Sequence, residues 1–192
     1  MIRCSTAVAE KVQGKIGGCV QPVHQQSAHQ SSACGGAEET AHLEQQIRRF
    51  NDHYCGCLDD RDFERWPDFF VDDCLYLVQS HENHARGLPH ADIYCAGKGM
   101  LRDRVSATGV MVYEARQQRR FTSALRVLDT GPNPRAVTNF MLTEAMIDRD
   151  PVLALTGRFD DEFAWVDGRL LLRRRICVYD NYRIVQNLIF PV

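Results

Sequence analysis

From Ala41 onward apolar residues recur at helical spacing. Leu43, Ile47, Phe50, Tyr54 and Leu58 fall on one face, while Glu44, Gln45, Arg48, Arg49 and Asp52 fall on the other. This period predicts an amphipathic helix with one face committed to a core. In "DFERWPDFF" Pro67 disfavours helical backbone at Trp66, so a short helix or turn follows. "CLYLV", Cys74 to Val78, has strand composition and is read as such. Around "GMLRDRVSATG" the spacing of Met100, Leu101, Arg104 and Val105 predicts a third helix ending near Gly109. Beyond it the pattern becomes that of strands: "TSALRVL", "AVTNFMLTEAMI", "VLALTGRFDDEFAWV", "RLLLRRRICVYD" and "RIVQNLIF". "DTGPNP" and "RDP" supply turns, and the last three runs read as a meander. Helices followed by strands predict an α+β domain, its N-terminal helices packed on a long, bent, mostly antiparallel sheet. Residues 1–40, rich in Ser, Gln, Gly and Ala, carry no sustained period and are read as a disordered leader or a mis-assigned start, leaving 41–192 as the domain.

The most specific local signal is Asp167-Gly168 between two strand-like runs, which predicts a two-residue hairpin loop. Uninterrupted pairing from that loop sets Val166 opposite Arg169, Trp165 opposite Leu170, Phe163 opposite Leu172, Asp161 opposite Arg174 and Phe159 opposite Ile176. Asp161 and Arg174 then share the apolar side, where an unpaired charge is costly, so an internal ion pair between them is predicted. On the other side Glu162 meets Arg173 and Asp160 meets Arg175. "RRR" is therefore expected to be neutralised within the sheet rather than offered to nucleic acid. Gly157 marks a bend or bulge where the sheet curls.

Composition narrows the function classes. A chain of 192 residues, 44% hydrophobic and 25% charged, fits one globular domain. A net charge of -2 gives no general attraction to nucleic acid or anionic membranes. No apolar run has the length of a spanning helix, and a soluble cytoplasmic protein is expected. The eight cysteines lack zinc-ribbon spacing and read as reduced thiols.

"QSHENHARGLPH" gathers three of the seven histidines. His81 and His84 with Glu82 have the residue types of a facial iron triad, but the segment precedes Gly87 and Pro89 and reads as a loop, so a polar surface role competes with a metal site. "AGKGML" lacks phosphate-loop spacing, and GxSxG, HExxH and GxGxxG do not occur. Nor do the cysteines pair with histidines as a Rieske cluster requires.

"WPDFFVDDCLYLVQSHENHARGLP", "MLRDRVSA", "RLLLRRRICVYDN" and the terminal "NLIFPV" follow one another in an order that resembles a known family. From about Leu43 to Val192 the chain is similar to the small, β subunit of aromatic-ring-hydroxylating dioxygenases. The similarity is greatest to the branch acting on aromatic acids, such as the salicylate 5-hydroxylase and terephthalate dioxygenase small subunits. The resemblance departs at Arg119-Arg120, where relatives commonly carry Arg-His. It implies a nuclear-transport-factor-2-like (SnoaL-like) cone and a chain without catalytic residues, cofactor or metal of its own. The implied partner is an α subunit holding a Rieske 2Fe-2S cluster and a mononuclear iron, in an α3β3 assembly served indirectly by a ferredoxin or reductase. No nucleic-acid or membrane partner is implied.

Three readings follow. In the first the chain is a non-catalytic assembly subunit, with Trp66, Arg102, Arg104, Arg119 and Arg120 as interface candidates. In the second it is a stand-alone isomerase or dehydratase of the same cone fold, using Asp161, Arg174 and His53 or Tyr54. In the third it is a metal-binding module centred on His81, Glu82 and His84.

Overall fold

The computed structural model describes the backbone of residues 31–111, 116–182, 184 and 188–192, with side chains for all of these except 31–35 and 109–111. In chain order the elements are α1 (Ser31–Asp59), a 3₁₀ helix (Phe63–Phe69), β1 (Phe70–Ser80), α2 (His81–Ala85), β2 (Ile93–Ala96), α3 (Lys98–Met111), β3 (Arg116–Asp129), β4 (Arg135–Met146), β5 (Arg149–Val166) and β6 (Arg169–Tyr179). The helix read from Ala41 thus begins at Ser31, so residues 31–40 are helical. Their Ala and Glu favour helix without an apolar stripe, which is why periodicity misses them. The remainder of that leader, residues 1–30, lies outside the described residues. The third helix runs two residues past the Gly109 boundary, to Met111.

The six strands form one sheet in the order β2-β1-β6-β5-β4-β3. Neighbours from β3 to β6 pair antiparallel, β2 pairs antiparallel with β1, and β1 joins β6 in parallel. This is the expected mixed, mostly antiparallel α+β arrangement, but "RIVQNLIF" supplies no strand among its described residues. The edge of β6 where it would dock is taken by β1, so β6 has no free ladder to offer. The meander therefore comprises β3 to β6.

Curvature has visible causes. β3 changes register against β4 between Ser123 and Arg126, with Ala124 at φ 49°. At Gly157 a Cβ would lie 2.1 Å from the Val178 carbonyl oxygen, so β6 approaches closer there than any side chain permits. α1 lies across the inner face, burying Ile47, Tyr54 and Leu58. Phe50 meets Phe69 and Phe163 edge to face at 5.5 and 5.4 Å.

The hairpin keeps its predicted register only to Leu172. Val166 pairs with Arg169, Trp165 with Leu170 and Phe163 with Leu172, after which Arg173 bulges and every later pair moves by one residue. Asp161 therefore stands opposite Arg175, Phe159 opposite Cys177, Asp160 opposite Ile176 and Glu162 opposite Arg174. The bulge lets three successive arginines reach three carboxylates: Arg173 to Asp73 on β1 at 3.6 Å, Arg174 to Asp160 at 3.4 Å and Arg175 to Asp161 at 2.8 Å. Among the described residues no helix is long and apolar enough to cross a membrane.

Candidate functional site

The centre of the cone is built from β5, β6 and α1. Asp161 and Arg175 are both fully buried and form a bidentate pair, Nε to Oδ1 and Nη2 to Oδ2, each at 2.8 Å. This replaces the predicted Asp161 to Arg174 pair, because the Arg173 bulge turns Arg174 away toward Asp160. Arg175 Nη2 also donates to Asn51 Oδ1 at 2.7 Å, and Asn51 Nδ2 donates to Thr138 Oγ1 at 3.3 Å. The guanidinium carbon lies 4.1 Å from the Tyr54 ring centre and 4.2 Å from that of Phe159, giving the cation aromatic faces as well as a carboxylate. Burial pushes the Asp161 carboxyl up from its ordinary value, opposed by the guanidinium beside it. Burial also pulls Arg175 down, but the Asp161 charge and hydrogen bonds more than offset this and hold it cationic. Burial lifts the Tyr54 hydroxyl above the usual phenol range and the Cys177 thiol up to about 12, so both stay protonated.

The chain's own last residues seal this centre. Trp66 Nε1 donates to Tyr54 Oη at 3.0 Å, and Tyr54 donates to the Val192 carbonyl at 3.0 Å. The Val192 amide donates to Tyr76 Oη at 2.8 Å. Arg120 Nη2 donates to the Pro191 carbonyl at 2.5 Å, while Arg120 Nη1 pairs with Asp59 Oδ1 at 2.6 Å. Arg104 Nη2 donates to the Leu188 and Ile189 carbonyls at 2.7 and 2.9 Å. Phe190 stacks on Phe63 with ring centres 5.0 Å apart. An acid or base must come within hydrogen-bond reach of a substrate. At this centre the carboxylate is occupied on both oxygens and enclosed on every side.

The other candidates are dispersed. Trp66, Arg104 and Arg120, read as interface residues, are used internally, and Trp66 is fully buried. Of the five, Arg102 and Arg119 remain exposed. His53 lies exposed along an open groove between α1 and the β5–β6 turn, away from Asp161. "HENH" is a one-turn helix rather than a loop, capped by Ser80 Oγ accepting from the Asn83 amide at 3.3 Å. His81 and Glu82 face solvent, while Gln79 Nε2 lies 2.8 Å from His84 Nδ1 and makes that nitrogen an acceptor. Among the described residues no three His, Cys, Asp or Glu side chains are grouped to hold a metal ion. Cys55, Cys57, Cys74, Cys95 and Cys177 are free thiols.

Two features escaped the sequence reading. On the outer face Phe121 of β3 stands opposite Met141 of β4, 53% and 37% exposed, an apolar pair where alternation should place polar residues. Inside, Glu144 is 3% exposed and lines a cavity of about 420 Å³ between β4, β5 and the terminal segment. Its signal was available: Glu144 is in phase with the inward-facing Thr138, Phe140 and Leu142.

Comparison with known proteins agrees with this architecture. The SnoaL-like domain family matches residues 39–176. The chain is 34% identical over 138 residues to the terephthalate 1,2-dioxygenase terminal oxygenase component subunit beta 1 of a Comamonas species, covering 71% of this chain and 90% of that protein. It is 28% identical over 149 residues to the anthranilate 1,2-dioxygenase small subunit of Burkholderia cepacia, covering 77% and 92%. A crystal structure from Novosphingobium aromaticivorans, assigned to the β subunit of an aromatic-ring-hydroxylating dioxygenase, superposes with a TM-score of 0.71 at 34% identity, over 78% of this chain and 97% of that one.

Proposed function

This chain belongs to the β-subunit family of aromatic-ring-hydroxylating dioxygenases, and from that premise we propose that its role in the complex is assembly rather than chemistry. In this reading it supports an α subunit that carries a Rieske cluster and a mononuclear iron. The complex hydroxylates an aromatic carboxylic acid, the substrate class to which the terephthalate and anthranilate relatives point. The observation that carries the reading is the filled centre. Asp161, the carboxylate best placed for acid-base chemistry in a cone, is spent on Arg175 and closed off by Tyr54, Phe159 and the residues leading to Val192. The isomerase or dehydratase reading needs Asp161 in an accessible pocket with His53 or Tyr54; His53 is exposed along the open groove beside α1, while Asp161 and Tyr54 are both fully buried.

Contact with α is assigned to the outer face of β3 and β4, where Arg119 and the Phe121 and Met141 pair are exposed, with Arg102 on α3 as a further candidate. Apolar side chains bordered by arginine suit a permanent partner better than solvent. The test is co-expression with the α subunit of a ring-hydroxylating oxygenase. A stable hetero-oligomer whose ring hydroxylation fails when this chain is omitted, and which Phe121→Asp disrupts, is expected. Undiminished hydroxylation without the chain, or turnover by the chain alone, would reverse the assignment.

A further inference from the structure

β3 is the outermost strand of the sheet and has a ladder to β4 only. That ladder is interrupted between Ser123 and Arg126 and again between Val127 and Asp129, so pairing alone fixes the strand weakly. Further holds come from the end of α1. A helix leaves its last carbonyls without intrahelical donors and carries the negative end of its dipole there, and α1 has no basic residue in its own last turn. Arg119 and Arg120 supply the cations from β3. Arg119 Nη1 donates to the Asp59 carbonyl at 3.4 Å, the Arg120 amide donates to Asp59 Oδ2 at 3.1 Å, and Arg120 Nη1 donates to Asp59 Oδ1 at 2.6 Å. The same guanidinium also reaches along its own strand and across to the terminal segment: Nη2 donates to Gln118 Oε1 at 3.2 Å and to the Pro191 carbonyl at 2.5 Å. Its side chain is fully enclosed, so water does not compete for these bonds. Alternation along the strand puts Arg119 and Phe121 on the opposite, outer face.

We infer that Arg120 is a positioning residue for the α contact, locking β3 to α1 and to the terminal segment so that Arg119 and Phe121 are presented to the partner in a fixed plane. The inference rests on the docking face proposed above. Arg120 itself does not reach that face, because its buried side chain points into the fold from between two residues that point out. Its contribution is preorganisation: a docking strand already held in its bound geometry does not lose that freedom on association. A fork-shaped guanidinium suits the task. It holds a carboxylate, a side-chain amide oxygen and a backbone carbonyl at once, whereas an ammonium, with its charge on a single atom, does not span all three.

The test measures the Kd of the full chain for the α subunit of a ring-hydroxylating oxygenase, with urea unfolding of each variant alongside. Phe121→Asp reports on the docking face itself and should disrupt association. Arg120→Met keeps an apolar stem but removes the clamp, and should weaken association at least about fivefold, the lower end of typical couplings between sites. Arg120→Lys, which keeps a cation for Asp59, should recover part of that loss. Val78→Ala truncates a buried residue on β1, separated from β3 by three strands, and should leave Kd within about twofold despite its loss of unfolding stability. The last two variants separate positioning from general destabilisation. If Phe121→Asp leaves Kd unchanged, the docking face is wrong and the inference falls with it. If Phe121→Asp disrupts association, three results would each leave the docking face standing and overturn the role of Arg120: Arg120→Met binding as the wild type does, Arg120→Lys binding no better than Arg120→Met, or Val78→Ala weakening association as much as Arg120→Met.

Discussion

Two buried carboxylates face the inside of this sheet in opposite circumstances. Asp161 has both oxygens engaged by one guanidinium and rings packed over that guanidinium. Glu144 has two donors on one oxygen, none on the other, and a cavity alongside. The pair at the centre has its partners entirely within the fold, which gives a stable core and removes a reagent. Glu144 is only half provided for within the fold, with one oxygen engaged and the other buried without a partner. Burial alone thus does not tell how firmly an acid is held; the count of satisfied lone pairs does.

Breaking the central pair should have the largest effect. Arg175→Leu strands Asp161 and is expected to lower unfolding stability by about 3 to 5 kcal/mol in urea titration. The Asp161→Leu, Arg175→Leu double variant should recover much of that loss, since no orphan charge remains. Next comes Arg120→Leu, which takes the guanidinium from Asp59 Oδ1 and from the Pro191 carbonyl, while the backbone bond to Asp59 Oδ2 remains. A decrease of about 2 to 3 kcal/mol is expected, with faster hydrogen exchange at the Val192 amide reporting that the terminal segment has loosened. Glu144→Gln should change stability by only about 1 kcal/mol, because one oxygen already lacks a partner. A result as large as that of Arg175→Leu would erase the contrast between the two carboxylates.

The smallest effect is a pH dependence behind the centre. Burial lowers His84 from its ordinary 6.5, as do the nearby Arg158 and Arg174, against the opposing pull of Asp160. The native state therefore favours the neutral ring, consistent with Nδ1 accepting from Gln79. The contribution is full above pH 6.5 and declines as pH falls through the lowered value. The melting temperature should drop as pH falls below 6.5 and level off once the lowered value is passed, and His84→Gln should flatten that part of the curve.

Legibility in the sequence followed the range of the interaction. Helix α1 was readable from Leu43 to Leu58 because its core face repeats locally, and the β5–β6 turn was readable because Asp167-Gly168 specifies it within four residues of backbone. The bulge at Arg173 was not, since three successive arginines carry no apolar marker that would reveal a change of phase. The internal pair was therefore foreseen in kind and position on β5, but assigned to Arg174 instead of Arg175. "RIVQNLIF" read as a strand because it is apolar, yet the backbone of Leu188, Ile189, Pro191 and Val192 is met by side chains of Tyr54, Tyr76, Arg104 and Arg120, all distant in sequence and invisible to a local pattern. Trp66 and two of the arginines looked like contact residues because aromatic and guanidinium groups suit interfaces; here they serve an internal one.

The parallel union of β1 with β6 places Leu75 beside Arg174, far apart along the chain, whereas Asp161 and Arg175 are brought together by a tight hairpin. Loop-closure entropy favours early formation of the hairpin, with docking of β1 and α1 following later. The acid and the base would then find each other while still hydrated, and dehydration would arrive as a single late event on an already neutralised pair. Kinetically, the hazard of stranding a lone charge in the interior is avoided by the sequence of assembly itself.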